Sequence, residues 1–228
     1  VIHHDYPSRL RTVHDAPPFL LFRGSLSAQE SGGISIVGSR AASDTGVRRA
    51  REVARYLVAE GIPVISGLAR GVDAAAHEAT IDAGGVPVGV IATGIGATYT
   101  PATTRYLHEL VASHGVLLSQ FSPTAPAMKH TFIERNATMS GLGVATFIIE
   151  ASEHSGARAQ ARLAMEHGRP VILTQVVATQ TDWGRELASG TRRNVQVVDT
   201  FRDAVVAIER VREISSLGMV EKVLADAQ

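Results

Sequence analysis

No cysteine occurs among the 228 residues, which excludes disulfides, thiolate-held metals and a cysteine nucleophile. Lysine is almost as scarce. Only Lys129 and Lys222 are lysines among the 22 basic residues; the rest are arginine. Twenty-two acidic residues balance them, so no net field draws the chain to a polyanion, and such a contact needs a local patch. Aromatic residues are few, at 5 %. No apolar run approaches the roughly 20 residues that span a bilayer, and no secretory signal is read. A cytoplasmic location without a membrane partner is therefore the expectation. The first strand is not followed by Gly-x-Gly-x-x-Gly and no Walker A lysine motif occurs, so a classical nicotinamide dehydrogenase and a P-loop ATPase do not fit.

What is present is alternation. The 45 % hydrophobic content suffices for a substantial core. Short β-branched runs near Ile34–Val37, Pro63–Ile65, Val86–Ala92, Val116–Phe121, Ala145–Glu150, Pro170–Thr174 and Val195–Val198 read as strands. Between most of them lie stretches with apolar residues at helical spacing, such as Val47, Ala50, Ala54 and Leu57. Short helices are expected around Glu134–Asn136 and Trp183–Ser189, and a longer one over Thr200–Val211. This order predicts an α/β fold: a mostly parallel sheet with helices on both faces. Residues 1–33 read as a leader packed on the core, with Phe19–Phe22 an edge strand and His3-His4 a solvated end. The main domain is set at 34–214, and 215–228 as a C-terminal tail of weak helix or disorder.

Ligands in such folds lie beyond the carboxyl ends of the strands. Four loops fall there: 38–43, 66–73, 94–99 and 150–156. The stretch from Ile62 to His77 changes from strand to small-residue turn to Ala-rich helix, placing a helix N-terminus at the sheet edge. Such an end, with Arg70 in the turn, suits phosphate. Gly38, Ser39, Arg40, Ser43, Ser66, Gly67, Arg70, Gly71, Arg135, Ser155 and Gly156 together form a phosphate-binding kit, although Gly38–Arg40 alone is also a plain tight turn. Asp73 is expected to cap its helix or fix the Arg70 loop. His77, four residues on, is expected to make a structural hydrogen bond with it. Glu150 reads either as a brace for a neighbouring loop or as a base toward a ribosyl bond. No catalytic residue, metal or cofactor is assigned.

Tyr6-Pro7, Asp15-x-Pro17, Val37-Gly-Ser-Arg40, Ser43, Gly46, Ser66-Gly-Leu-Ala-Arg-Gly-Val-Asp73, Ala76-His77, Gly84-Gly85, Tyr99, Arg135-Asn136, Glu150-Ala151 and Ser155-Gly156 occur in one order. In this the chain resembles the DprA (Smf) family of DNA-processing proteins. The resemblance implies an extended Rossmann-like fold that binds single-stranded DNA without catalysing a reaction. It also implies a homodimer that assists loading of a RecA-type recombinase in natural transformation or recombination. On this resemblance Arg40 and Arg70 hold the DNA backbone, Gly38-Ser39 and Ser66-Gly67 join them, and Arg135-Asn136 serve the rim or brace a loop. The chain departs from the family at Ala137, where a basic residue is lost, and after Ser155-Gly156, where two hydroxyls are lost. That keeps a second reading open, in which the pocket takes a nucleotide-derived small molecule as a sensor or ribosyl-bond hydrolase.

Overall fold

A computed structural model gives the fold and describes residues 6–26, 32–97, 102–190 and 194–226. Its eight strands are β1 (Leu21–Gly24), β2 (Ile34–Val37), β3 (Val64–Ser66), β4 (Pro87–Val90), β5 (Val116–Ser119), β6 (Ala145–Ile148), β7 (Val171–Thr174) and β8 (Val195–Val198). They form one sheet in the order β1-β5-β4-β3-β2-β6-β7-β8. Every pairing is parallel except β1 with β5, where Leu21 faces Ser119 and Gly24 faces Val116. The leader thus adds an antiparallel edge strand, in keeping with its Phe19–Phe22 signal.

The helices are α1 (Asp44–Ala59), α2 (Val72–Asp82), α3 (Ala102–His114), α4 (Lys129–Leu142), α5 (Gly156–Glu166), α6 (Gln175–Gln180), α7 (Asp182–Ser189) and α8 (Phe201–Asp226). Strand residues alternate between the two faces, as the pleat requires. Ile34 and Ile36 point with Phe147 into a core shared with α1, α2 and α8. Val37, Ile65, Val88 and Ile148 point the other way, into a core with α4, α5 and the leader residues Leu10 and Val13. The expected α/β architecture with helices on both faces is the one observed.

Three elements differ from the sequence reading. Helix α4 begins at Lys129, well before Glu134. Thr131 makes this possible: its Oγ1 accepts the Met128 N–H at 3.0 Å and donates to the Met128 carbonyl at 2.9 Å. Helix α6 was hidden by the polar character of its neighbourhood; its two inward residues are Val177 and Ala178. Helix α8 runs on without a break to Asp226.

The chain leaves β2 toward β3, β4 and β5, then returns to pair β6 on the opposite side of β2. That reversal between β2 and β6 opens a crevice at their carboxyl ends, the usual ligand position in open α/β sheets. The loops after β2, β3, β4 and β6 and the start of α4 surround it.

Candidate functional site

Two buried charged side chains, Asp73 and Arg135, hold the loops at this edge. Asp73, 5 % exposed, sits at the start of α2 with its carboxylate facing the N–H groups of Ala69 (3.4 Å), Gly38 and Gly67. Burial outweighs the opposing pull of the neighbouring Arg135 guanidinium and of these N–H groups, and leaves its carboxyl raised to about 6. Arg135, on α4, is itself 6 % exposed. Its Nη1 donates to the Gly67 carbonyl at 2.7 Å and to the Val90 carbonyl at 2.9 Å. Desolvation lowers its pKa, opposed by Asp73. The guanidinium therefore stitches the loop after β3 to the end of β4. Gly67 has to be glycine here, because a Cβ would stand 1.9 Å from Arg135 Nη1.

The turn over this brace is tight. Leu68 holds a left-handed φ of 60° with its side chain buried, and Gly71 follows at φ 78°, where a Cβ would meet the Ser39 carbonyl at 2.2 Å. A non-glycine residue at positive φ costs about 1–3 kcal/mol and persists only when its surroundings fix it. Leu68 meets that condition by packing on Ile91, Leu107, Val111 and Leu117. Arg70, between them, is left exposed.

Several residues expected at the rim are placed elsewhere. Ser66 is fully buried and its hydroxyl donates to the Ile36 carbonyl at 2.6 Å, tying β3 to β2. The α2 N-terminus is closed: Val72 N–H goes to the Ser39 carbonyl at 3.2 Å and Ala74 N–H to the Ala69 carbonyl at 3.0 Å. The α1 N-terminus is closed as well. Glu150 accepts the Ser43 N–H at 3.0 Å and the Ser43 hydroxyl at 2.6 Å, and that hydroxyl in turn caps Gly46 N–H at 3.1 Å. His77 makes no bond to Asp73. Both its ring nitrogens are buried without a partner in hydrogen-bonding geometry, the Ser66 backbone being close, and burial lowers its pKa to about 4.

What remains open is a pair of cavities on either side of Arg40. The first, about 340 Å³, is lined by Arg40, Arg70, Gly67, Thr93, His108 and Phe132 among others. The second, about 430 Å³, lies in the β2–β6 crevice against Gly38, Ser39, Asn136, Ser155, Gly156 and Gln160. Arg40 is exposed and stacks over the Phe132 ring, 5.2 Å from its centroid, so the two side chains form the wall between the cavities. Arg40 and Arg70 thus share the first cavity. Of the phosphate kit, Gly38, Ser39, Arg40, Gly67, Arg70, Arg135, Ser155 and Gly156 line one cavity or the other, as does Asn136. Ser43, Ser66 and Gly71 line neither.

The second cavity carries unspent polarity. Ser155 precedes α5 without capping it, and its Oγ is buried without a partner. Gln160, 1 % exposed, gives Nε2 to Thr146 Oγ1 at 3.3 Å and leaves Oε1 unpaired. Buried polar atoms are ordinarily hydrogen-bonded, so such orphans mark a place for a ligand or water. Sequence reasoning missed Gln160, and it offers Phe132 as an aromatic candidate for stacking without its contact to Arg40. Helical spacing held the signal in both cases: Phe132 is three residues before Arg135 on α4, and Gln160 four after Gly156 on α5. Tyr99, expected at the third loop, lies outside the described residues.

With this geometry established, comparisons give a consistent result. A family model for DNA recombination-mediator protein A matches residues 1–203. Protein Smf of Escherichia coli is 36 % identical over 167 residues, covering 73 % of this chain and 45 % of that protein. The chain therefore spans about half the length of such relatives. The crystal structure of DNA processing protein A from Streptococcus pneumoniae superposes with a TM-score of 0.78 at 29 % identity, over 90 % of this chain and 72 % of the other. A structure of DNA processing protein A from Helicobacter pylori, reported for its single-stranded DNA binding mode, gives 0.79 at 21 % identity, over 90 % and 93 %.

Proposed function

The chain belongs to the DNA recombination-mediator protein A family, and from that premise we propose that its carboxyl-edge cavities hold single-stranded DNA. The observation that carries this reading is the shared cavity of Arg40 and Arg70 with Phe132 beside them. Single strands are held by cations that follow the phosphates together with rings on which bases stack. Both guanidinium groups are exposed and lie outside the Asp73–Arg135 brace, so their charge is available to a phosphodiester. Gly38, Ser39 and Gly67 add partly exposed backbone to the cavity walls. Arg135 supports this site by holding its loops, and Asn136, Ser155 and Gly156 extend it into the second cavity.

In this reading the bound strand is passed to a RecA-type recombinase, in recombination or natural transformation, by a homodimer in the cytoplasm. The domain organisation proposed with it is the leader 1–33, the Rossmann-like unit 34–214 and the segment 215–228. No helix among the described residues is long and apolar enough to cross a membrane.

The test is binding of a fluorescent oligo-dT strand across a range of salt concentrations. Backbone contact gives a log–log slope of about −0.7 per neutralised phosphate in single strands. Arg40→Ala and Arg70→Ala should each flatten that slope. A salt-independent affinity, or variants that bind like the parent, would remove the proposal.

One observation favours a second reading, a nucleotide-derived small molecule in the larger cavity: the unpaired Ser155 Oγ and Gln160 Oε1. Its hydrolytic form fits less well, since the Glu150 carboxylate is already bonded by Ser43. Nucleoside monophosphates that displace the oligonucleotide without releasing free base would support the sensor form.

A further inference from the structure

The leader meets the end of α5 at His14, Asp15 and His167. His167, the residue that closes α5, has a fully buried side chain. Its Nδ1 lies 3.0 Å from the Ser140 hydroxyl on α4. Its Nε2 lies 2.7 Å from Asp15 Oδ1. The exposed His14 ring stands edge-on to it, with centroids 5.6 Å apart. One ligand atom from each of the three residues lies within 4.8 Å of the others.

We propose that His14, Asp15 and His167 form a binding site for a transition-metal ion of the zinc type. Two imidazoles and one carboxylate, with a fourth position open to water, make a common zinc donor set. Ligands bound at about 2.0–2.1 Å in a tetrahedron stand about 3.3 Å apart. The Asp15–His167 pair is near that spacing already, and the exposed His14 side chain is free to swing inward. Ser140 fixes the second ring nitrogen of His167, which leaves Nε2 as the donor; metal-bound histidines are ordinarily held in this way.

The surroundings narrow the choice of ion. Arg169 donates to Thr12 Oγ1 at 2.9 Å, three residues before Asp15, and also reaches the Gly141 carbonyl at 3.5 Å. With a single carboxylate among its three groups, the site disfavours calcium or magnesium, which depend on several oxygen donors. Imidazole donors suit zinc, nickel, cobalt or copper. An ion bound here would tie Tyr6–Ala16 to α4 and α5 and so stabilise the leader's attachment. An ion that binds only the folded state raises stability in proportion to the logarithm of its concentration.

The experiment uses tag-free, chelator-stripped protein. Zinc is titrated by calorimetry, cobalt by its ligand-field absorption, and the thermal midpoint is followed with zinc and with magnesium. One ion per chain is expected, with a tetrahedral cobalt spectrum and a midpoint raised by zinc alone. His14→Ala and Asp15→Asn, at residues exposed enough to tolerate change, should each weaken zinc binding at least about tenfold. Ser140→Ala, which removes the support of His167, should cost roughly 10–100-fold. A double His3→Ala/His4→Ala variant should bind like the parent. The proposal is overturned if no stoichiometric ion binds, if His14→Ala and Asp15→Asn retain parental affinity, or if the His3/His4 variant alone abolishes binding.

Discussion

Glu150 and Ser43, 107 residues apart, close the α1 N-terminus between them: the carboxylate takes both the Ser43 N–H and its hydroxyl. The same end therefore cannot receive a phosphate while this pair is intact. An anionic side chain at a helix N-terminus is stabilising, and a hydrogen bond to a charged group is worth about 1.5–3 kcal/mol. Glu150→Ala is expected to lower stability by about 1–3 kcal/mol, and Ser43→Ala by about 1 kcal/mol through loss of the cap on Gly46. Urea denaturation measures both. Oligo-dT affinity should stay within about twofold of the parent for Ser43→Ala, and a large loss there would place Ser43 on the ligand instead.

Arg135 and Arg40 read alike as basic residues in a line of sequence, but the fold gives them opposite duties. Removing the Arg135 guanidinium strands the Gly67 and Val90 carbonyls and takes a cation away from the buried Asp73, and each buried polar group left unpaired costs about 1–3 kcal/mol. Arg135→Met should therefore destabilise strongly, and adding Asp73→Asn should recover part of the loss. Arg40→Ala should leave the denaturation midpoint unchanged within about 0.5 kcal/mol, as exposed positions do. Equal effects from the two substitutions would contradict this division.

The legible part of the fold was the part that sequence encodes locally. Continuous β-branched runs such as Ile34–Val37 have one meaning in a chain of this period, and they became strands. The Ser66–Asp73 block declared a tight loop, which the left-handed Leu68 and Gly71 confirm. What was not legible depends on partners distant along the chain. Ser66 looks like a rim hydroxyl until Ile36 is placed beside it, and Glu150 looks like a base until Ser43 meets it. Helix α4 starts early because of one threonine, a signal weaker than the prolines before it. Spacing showed that Asp73 and His77 share a helix face; it did not show that the loop N–H groups would claim the carboxylate first.

Acid sensitivity follows from the same burial. Two histidines, His77 and His108, are lowered to about 4, so the unfolded chain binds protons that the folded chain resists between about pH 6.5 and 4. Asp73 works against them: raised to about 6, it binds a proton in the folded chain first. In the overlap between pH 6 and 4 the unfolded state takes up two protons where the folded state takes one. The net difference of one proton makes stability fall by about 1 kcal/mol per pH unit on acidification. Stability is fully present above pH 6.5. Urea midpoints at pH 7, 6 and 5 measure the slope, and His77→Leu should cancel most of it. A midpoint that rises on acidification would mean that Asp73 dominates.

Phe132 allows the charge and stacking contributions to be separated. Its ring is half-buried between the two cavities and carries the Arg40 guanidinium on its face. If a base replaces or joins that guanidinium, removing the ring loses stacking, worth about 1–3 kcal/mol per base by alanine substitution. Phe132→Ala should then weaken oligo-dT binding about tenfold or more while leaving the salt slope at its parental value, because no phosphate contact is deleted. Arg40→Ala should do the reverse in slope, flattening it by about 0.7 for each phosphate it releases. Since the two side chains touch, their combined loss should fall short of the sum of the single ones. Phe132→Leu keeps apolar bulk without the π-face, so it should resemble alanine in affinity. If leucine instead restores parental binding, the ring serves only to fill space beside Arg40, and base stacking at this wall is ruled out.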